Sequence, residues 1–141
     1  MNLSGSCCCG AVTYACSSAP LFTGNCHCRD CQKTSGSAYA PTFFVPEEAI
    51  TIRGEVKWYE RLGDSGKPIS RGFCPHCGSQ LFGKPSVMPG VLAVRAGTLD
   101  DPEQFKPQIN IYTRSAPSWD FMDPALPKFP AAPPMKPASK A

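Results

Sequence analysis

Residues 26–31 read CHCRDC and bring three cysteines, a histidine, an arginine and an aspartate into six positions. Cysteines this dense serve as metal ligands or redox groups before they serve as packing. A C-x-C-x-x-C run can turn Cys26, Cys28 and Cys31 toward one ion. Zinc held by three thiolates keeps a position for water or substrate, which is the layout of a catalytic centre; a fourth side chain would close it. Two further pairs accompany the cluster. Cys7 and Cys9 form C-x-C between Gly5 and Gly10, and Cys74 and Cys77 form CPHCG, whose glycine can take the positive φ of a knuckle turn. Joined, these two pairs give the four-cysteine set of a structural zinc and would tie the start of the chain to a turn about 65 residues later.

A second partition stays open on spacing alone. Cys28 and Cys31 with Cys74 and Cys77 would make a zinc ribbon, at the cost of leaving Cys7, Cys9 and Cys26 without a role. Cys8 lies between two expected ligands and is expected to point away. Cys16 ends a strand-like run, where a buried thiol is ordinary. His27 is expected beside the centre or exposed rather than as a proton carrier, and His76 as a solvated turn residue. Arg29 and Lys33 flank the cluster; they would attract carboxylates of a substrate or offset thiolate charge.

These residues need a frame. The chain has 141 residues, enough for one domain with a modest core, with 42% hydrophobic and 18% charged residues. Sixteen prolines and twelve glycines disfavour long helices and favour short strands between turns. Strand-like runs are expected at 11–16, 21–26, 39–45, 69–74, 79–84, 91–99 and 108–114, with 50–62 as a hairpin turning at Gly54 and Glu55. Residues 29–37 suit one helical turn stopped by Gly36. Phe43, Phe44, Trp58 and Tyr59 are expected in the core or on a sheet face, and Trp119 over a sheet edge. The pattern predicts an all-β domain over 1–123 and a proline-rich, flexible C-terminal tail over 124–141.

The formal charge of +3 counts cysteines as neutral. A four-thiolate zinc carries two net negative charges and a three-thiolate zinc one, which together offset it. No nucleic-acid partner is expected from such a balance. The opening MNLSGSCCCG lacks the basic and apolar regions of a leader, and no run is long enough to span a bilayer, so neither export nor membrane insertion is expected. Clustered cysteines in a reducing cytoplasm point to metal rather than disulfides.

Taken together, GSCCCGAV, CHCRDCQKTSG and FCPHCGSQLF, followed by VRAGTLDDP and IYTRSAPSWDFMD, resemble the glutathione-dependent formaldehyde-activating enzyme family, which includes centromere protein V. The likeness runs from about residue 4 to 130. It implies a β-tent of small antiparallel sheets held by Zn²⁺, with Cys7, Cys9, Cys74 and Cys77 on a structural ion and Cys26, Cys28 and Cys31 on a catalytic one. It also implies a carbon–sulfur lyase acting on a small thiol adduct such as S-hydroxymethylglutathione. Two other classes remain to be weighed: a zinc module that only binds protein or nucleic acid, and a thiol redox sensor.

Overall fold

A computed structural model describes residues 2–133 of the chain. Its elements are β1 (Leu3–Ser6), β2 (Thr13–Cys16), β3 (Phe22–Cys26), α1 (Arg29–Ser35), β4 (Ala40–Pro46), β5 (Ile50–Arg53), β6 (Lys57–Leu62), β7 (Pro68–Phe73), β8 (Gln80–Pro85), β9 (Val91–Arg95) and β10 (Ile109–Ile111). The strands are short for a local reason. β4 ends at Pro46, β7 begins at Pro68 and β8 ends at Pro85, residues with no N–H to extend a ladder. They form two sheets, β1-β2-β5 and β10-β3-β4-β9-β8-β7-β6. Pairing is antiparallel except where β10 lies parallel to β3.

Side chains alternate across a strand, so neighbours on paired strands line up in rows. One row, Phe43, Val94 and Phe82, faces the smaller sheet. With Leu3, Val12, Tyr14, Leu81 and Leu92 it makes the core. Tyr14 meets Phe82 edge-on, ring centroids 5.6 Å apart. Each fully buried phenylalanine there contributes roughly 1.5–3 kcal/mol. The opposite face carries the row Phe22, Phe44, Ala93, Gly83 and Arg71 across β3, β4, β9, β8 and β7. Phe22 and Phe44 stack at 4.1 Å. Ala93 and Gly83 are too small to fill the space beside them, so this face is hollow between the stacked rings and the arginine.

Several sequence expectations change. Residues 50–62 do not fold on themselves: β5 pairs with β2 and β6 with β7, so the two halves belong to different sheets. Gly54, at φ 98°, is the corner between them, and a Cβ there would collide with the Ala11 carbonyl. The reason is burial. Ile50 and Ile52 pack under the core, whereas every residue of β6 is exposed. β1, unmarked by any apolar run, forms by pairing with β2. The strand expected over 91–99 stops at Arg95 in a 3₁₀ turn, and that over 108–114 stops at Ile111, where Tyr112 enters the left-handed region at φ 55°. Phe43 is in the core and Phe44 on the opposite face, while Trp58 and Tyr59 are 38% and 56% exposed on β6.

Of the proline-rich stretch, residues 124–133 are described and lie against β10 rather than loose. Asn110 N–H donates to the Pro127 carbonyl (2.9 Å), Phe129 N–H to the Asn110 carbonyl (2.9 Å), and Tyr112 N–H to the Ala131 carbonyl (3.2 Å). The rest of the expected tail lies outside the described residues. No helix among the described residues is long and apolar enough to cross a membrane.

Candidate metal centres

Cys7 and Cys9 sit in the turn between β1 and β2, and Cys74 and Cys77 in the turn between β7 and β8. Gly10 (φ 81°) and Gly78 (φ 76°) give these turns their left-handed residues, and Gly78 N–H donates to the Cys74 carbonyl at 2.9 Å. The four Sγ atoms lie within 4.8 Å of one another, with Cys7–Cys9 at 3.6 Å and Cys9–Cys74 at 3.7 Å. A tetrahedral zinc with Zn–S of about 2.3 Å has S···S edges of about 3.8 Å, so the spacing fits an ion. It is far longer than the roughly 2.05 Å of a disulfide. Val12 N–H donates to Cys7 Sγ at 3.2 Å. Ser79 Oγ stands 3.2 Å from Cys77 Sγ; hydrogen bonds from its hydroxyl and backbone pull that thiol down to about 5. The same oxygen accepts Cys8 N–H at 2.9 Å, so Cys8 acts through its backbone and leaves its thiol exposed.

The other cluster is assembled where β3 passes into α1. Cys26 is the last residue of β3; Cys28 caps α1, its Sγ accepting Cys31 N–H at 3.2 Å; Cys31 stands buried in the first turn. The helix ends where Gly36 turns left-handed (φ 68°). Again the three Sγ atoms lie within 4.8 Å of one another, and no fourth His, Cys, Asp or Glu joins them among the described residues. Cys28 and Cys31 therefore group with Cys26, and Cys74 and Cys77 with Cys7 and Cys9; the ribbon partition is not what the fold brings together. Hydrogen bonds from Cys26 and Cys28, then the charges of Arg95 and Arg71, hold the Cys31 thiol well below its ordinary range. The Cys28 and Cys31 sulfurs push Cys26 well above it. Arg95 reaches the cluster directly, with Nη1 4.0 Å from Cys31 Sγ and Nη2 donating to Thr34 Oγ1 at 3.0 Å.

His27 was expected near or outside the centre; it is wholly buried beneath it. Its Nε2 is 2.9 Å from Asn110 Oδ1 and its Nδ1 2.6 Å from Asp120 Oδ2, with the two side chains of the His27–Asp120 pair 0% and 2% exposed. The backbone is fixed as firmly. His27 N–H donates to the Ile111 carbonyl at 3.0 Å, and Gln32 Nε2 donates to the His27 carbonyl at 2.8 Å. The ring's polar edges point into the protein, so His27 anchors the strand-to-helix bend that carries Cys26 and Cys28 on either side of it.

The hollow face of the large sheet becomes a cavity of about 310 Å³ with Cys26, Cys28 and Cys31 in its lining. Its walls are largely apolar and include Ile69, Val87 and Met88; Ala132 and Pro133 of the proline-rich stretch close one side. Arg29 and Lys33 do not line it and are exposed. The cavity's cations are Arg71 and Arg95, and its carboxylates Asp30 and Asp64 are paired with Arg61 (3.4 Å) and Arg114 (3.1 Å). A signal for both arginines existed. Arg95 shares strand parity with Val91 and Ala93, and Arg71 interrupts the run before FCPHC. Nothing local marked Asp120 or Asn110, which reach His27 across more than 80 residues. His76 is exposed, as expected of a turn residue, and Trp119 is 73% exposed.

Two sheets joined at a four-cysteine cluster, with a three-cysteine cluster open to a cavity, define a small all-β protein placed to hold metal at two points. Residues 2–115 match the family model described as glutathione-dependent formaldehyde-activating enzyme, and the chain belongs to that family. A Halomonas elongata protein carrying the family's name is 26% identical over 125 residues, covering 84% of this chain and 80% of its own. A crystal structure of a Rhodobacter sphaeroides protein superposes with a TM-score of 0.55 at 20% identity, covering 69% of this chain and 87% of that one, and so shares the fold.

Proposed function

We propose that the chain is a zinc-dependent carbon–sulfur lyase that makes and breaks the bond between a small thiol and a carbonyl carbon, as in S-hydroxymethylglutathione. The observation that carries this reading is the three-thiol cluster, with no fourth protein ligand among the described residues, facing a cavity. In it, Cys7, Cys9, Cys74 and Cys77 hold a structural zinc, and Cys26, Cys28 and Cys31 hold the catalytic one. When bound at three thiolates, zinc supplies a soft Lewis acid with room for a sulfur or oxygen ligand.

The chain's own residues supply the rest. Arg95 beside Cys31 offsets the negative charge that three thiolates concentrate. His27, Asp120 and Asn110 fix the bend and hence the spacing of the sulfurs. The apolar walls lower the local dielectric, which strengthens the charge interactions at the reacting sulfur and oxygen. Tyr112 lines the same cavity, and burial raises its phenol, which keeps its proton and offers a donor to the carbonyl oxygen. Nine cysteines, none in a disulfide, fit work in a reducing cytoplasm.

The test is metal counting followed by a rate. Two zincs per chain are expected, with one lost in Cys28→Ser. Serine also caps helices well, so α1 survives that change and the loss reports on ligation. The zinc-loaded protein should accelerate adduct formation from formaldehyde and glutathione. One zinc per chain, indifferent to Cys28→Ser, would leave a binding module; a rate no faster than the spontaneous one would remove this substrate.

A further inference from the structure

Arg71 is 6% exposed and its Nη1 is buried without a hydrogen-bond partner among the described residues; its charge acts on the Cys31 thiol only through space. A buried guanidinium is costly unless an anion meets it. The other charged residues around the cavity are already matched: Asp30 to Arg61, Asp64 to Arg114, and Arg95 to Cys31 and Thr34. Arg71 stands at the far end of the hollow row, directly across the ladder from Gly83, where no side chain shields it from the cavity.

We infer that Arg71 is the anion-receiving residue of this cavity, and that the ligand is a thiol with an apolar body and a carboxylate, its sulfur end at Cys26, Cys28 and Cys31 and its carboxylate on Arg71. This rests on the thiol-binding reading of the three-cysteine cluster and narrows it. A planar guanidinium matches a carboxylate with two parallel hydrogen bonds. The body between the two ends lies over Ala93 and Gly83, against Phe44, Ile69 and Met88, surfaces that reward apolar area.

The experiment compares two probes on the zinc-loaded protein by calorimetry, 6-mercaptohexanoate and hexanethiol, which differ in the carboxylate. The carboxylated thiol should bind at least about tenfold tighter, the discrimination expected of a charge-assisted pair in a dry site. Arg71→Gln should erase that ratio while keeping hexanethiol affinity and both zincs, and Arg71→Lys should restore part of it. Equal binding of the two thiols to the unaltered protein overturns the role of Arg71 and leaves the thiol site standing. So does a ratio that survives Arg71→Gln. If neither thiol binds a protein that carries two zincs, both the inference and the proposed function fall. Should Arg71→Gln fail to fold, the probe comparison on the unaltered protein and on Arg71→Lys decides.

Discussion

Asp120→Ala removes the partner of the buried Nδ1 of His27. The pair is 2.6 Å apart with both side chains essentially out of water. Removing one member of such a pair costs about 3–5 kcal/mol, because the other keeps its desolvation cost without compensation. His27 retains Asn110 on its second nitrogen and meets the Tyr39 ring at a tilt, centroids 5.1 Å apart, so the lower end, about 3 kcal/mol, applies. For a domain of this size each kcal/mol shifts Tm by about 3 °C, which gives a fall of about 9 °C. Asp120→Asn keeps an acceptor and should lose less than half of that. The effect should also be local. His27 sits between Cys26 and Cys28, so its displacement spreads their sulfurs, whereas the Cys7–Cys9–Cys74–Cys77 cluster lies in other turns. Thermal unfolding by circular dichroism, with zinc release to a chromophoric chelator, should show faster loss of one zinc of two. A Tm within about 2 °C of the parent and unchanged release would show that packing alone holds the bend.

Gly83→Leu should fill the hollow. A Cβ there meets the Ala93 Cβ at 3.5 Å and the Ser70 carbonyl oxygen at 3.9 Å, both ordinary contacts, so the fold tolerates it while the longer side chain occupies the cavity; thiol binding should fall more than tenfold with two zincs retained, read by calorimetry and metal analysis. A chelator titration should remove metal in two phases, the three-thiol zinc first without loss of tertiary structure, the four-thiol zinc with unfolding followed by near-ultraviolet circular dichroism. Ser79→Ala strips the acceptor of Cys8 N–H and the hydroxyl beside Cys77; about 1 kcal/mol of stability and some grip on the structural zinc should go with it, measured by denaturant melts. Cys8→Ser should change neither zinc count nor stability by more than about 0.5 kcal/mol, since the exposed thiol makes no contact the fold uses.

The ligand groupings were legible because they are local: C-x-C and C-x-x-C pairs declare themselves in a few residues, and only the pairing of pairs needed the fold. Most strands were legible for the same reason, as alternation and proline punctuation act over short range. What escaped was long-range. ITIR pairs with β2, more than 30 residues upstream, whereas KWYERL takes the next strand, β7, across a short turn; only the first of these pairings is out of local reach. The burial of His27 depends on Asp120 and Asn110, and the anchoring of 124–133 on β10. Arg29 and Lys33 are near CHCRDC in sequence, but Arg71 and Arg95, from distant strands, are the cations near it in space.

The seven-stranded sheet has two borders, and both are guarded. Beyond β10 runs a segment with Pro124, Pro127, Pro130 and Pro133, residues that lack the N–H another chain would need to continue the ladder. At the opposite border β6 displays Lys57, Glu60 and Arg61, whose charges resist apposition of a second strand. Concentrated solutions of the protein should therefore withstand fibril formation and edge-wise polymerisation, even though the sheet is wide and its β6 border carries exposed Trp58, Tyr59 and Leu62.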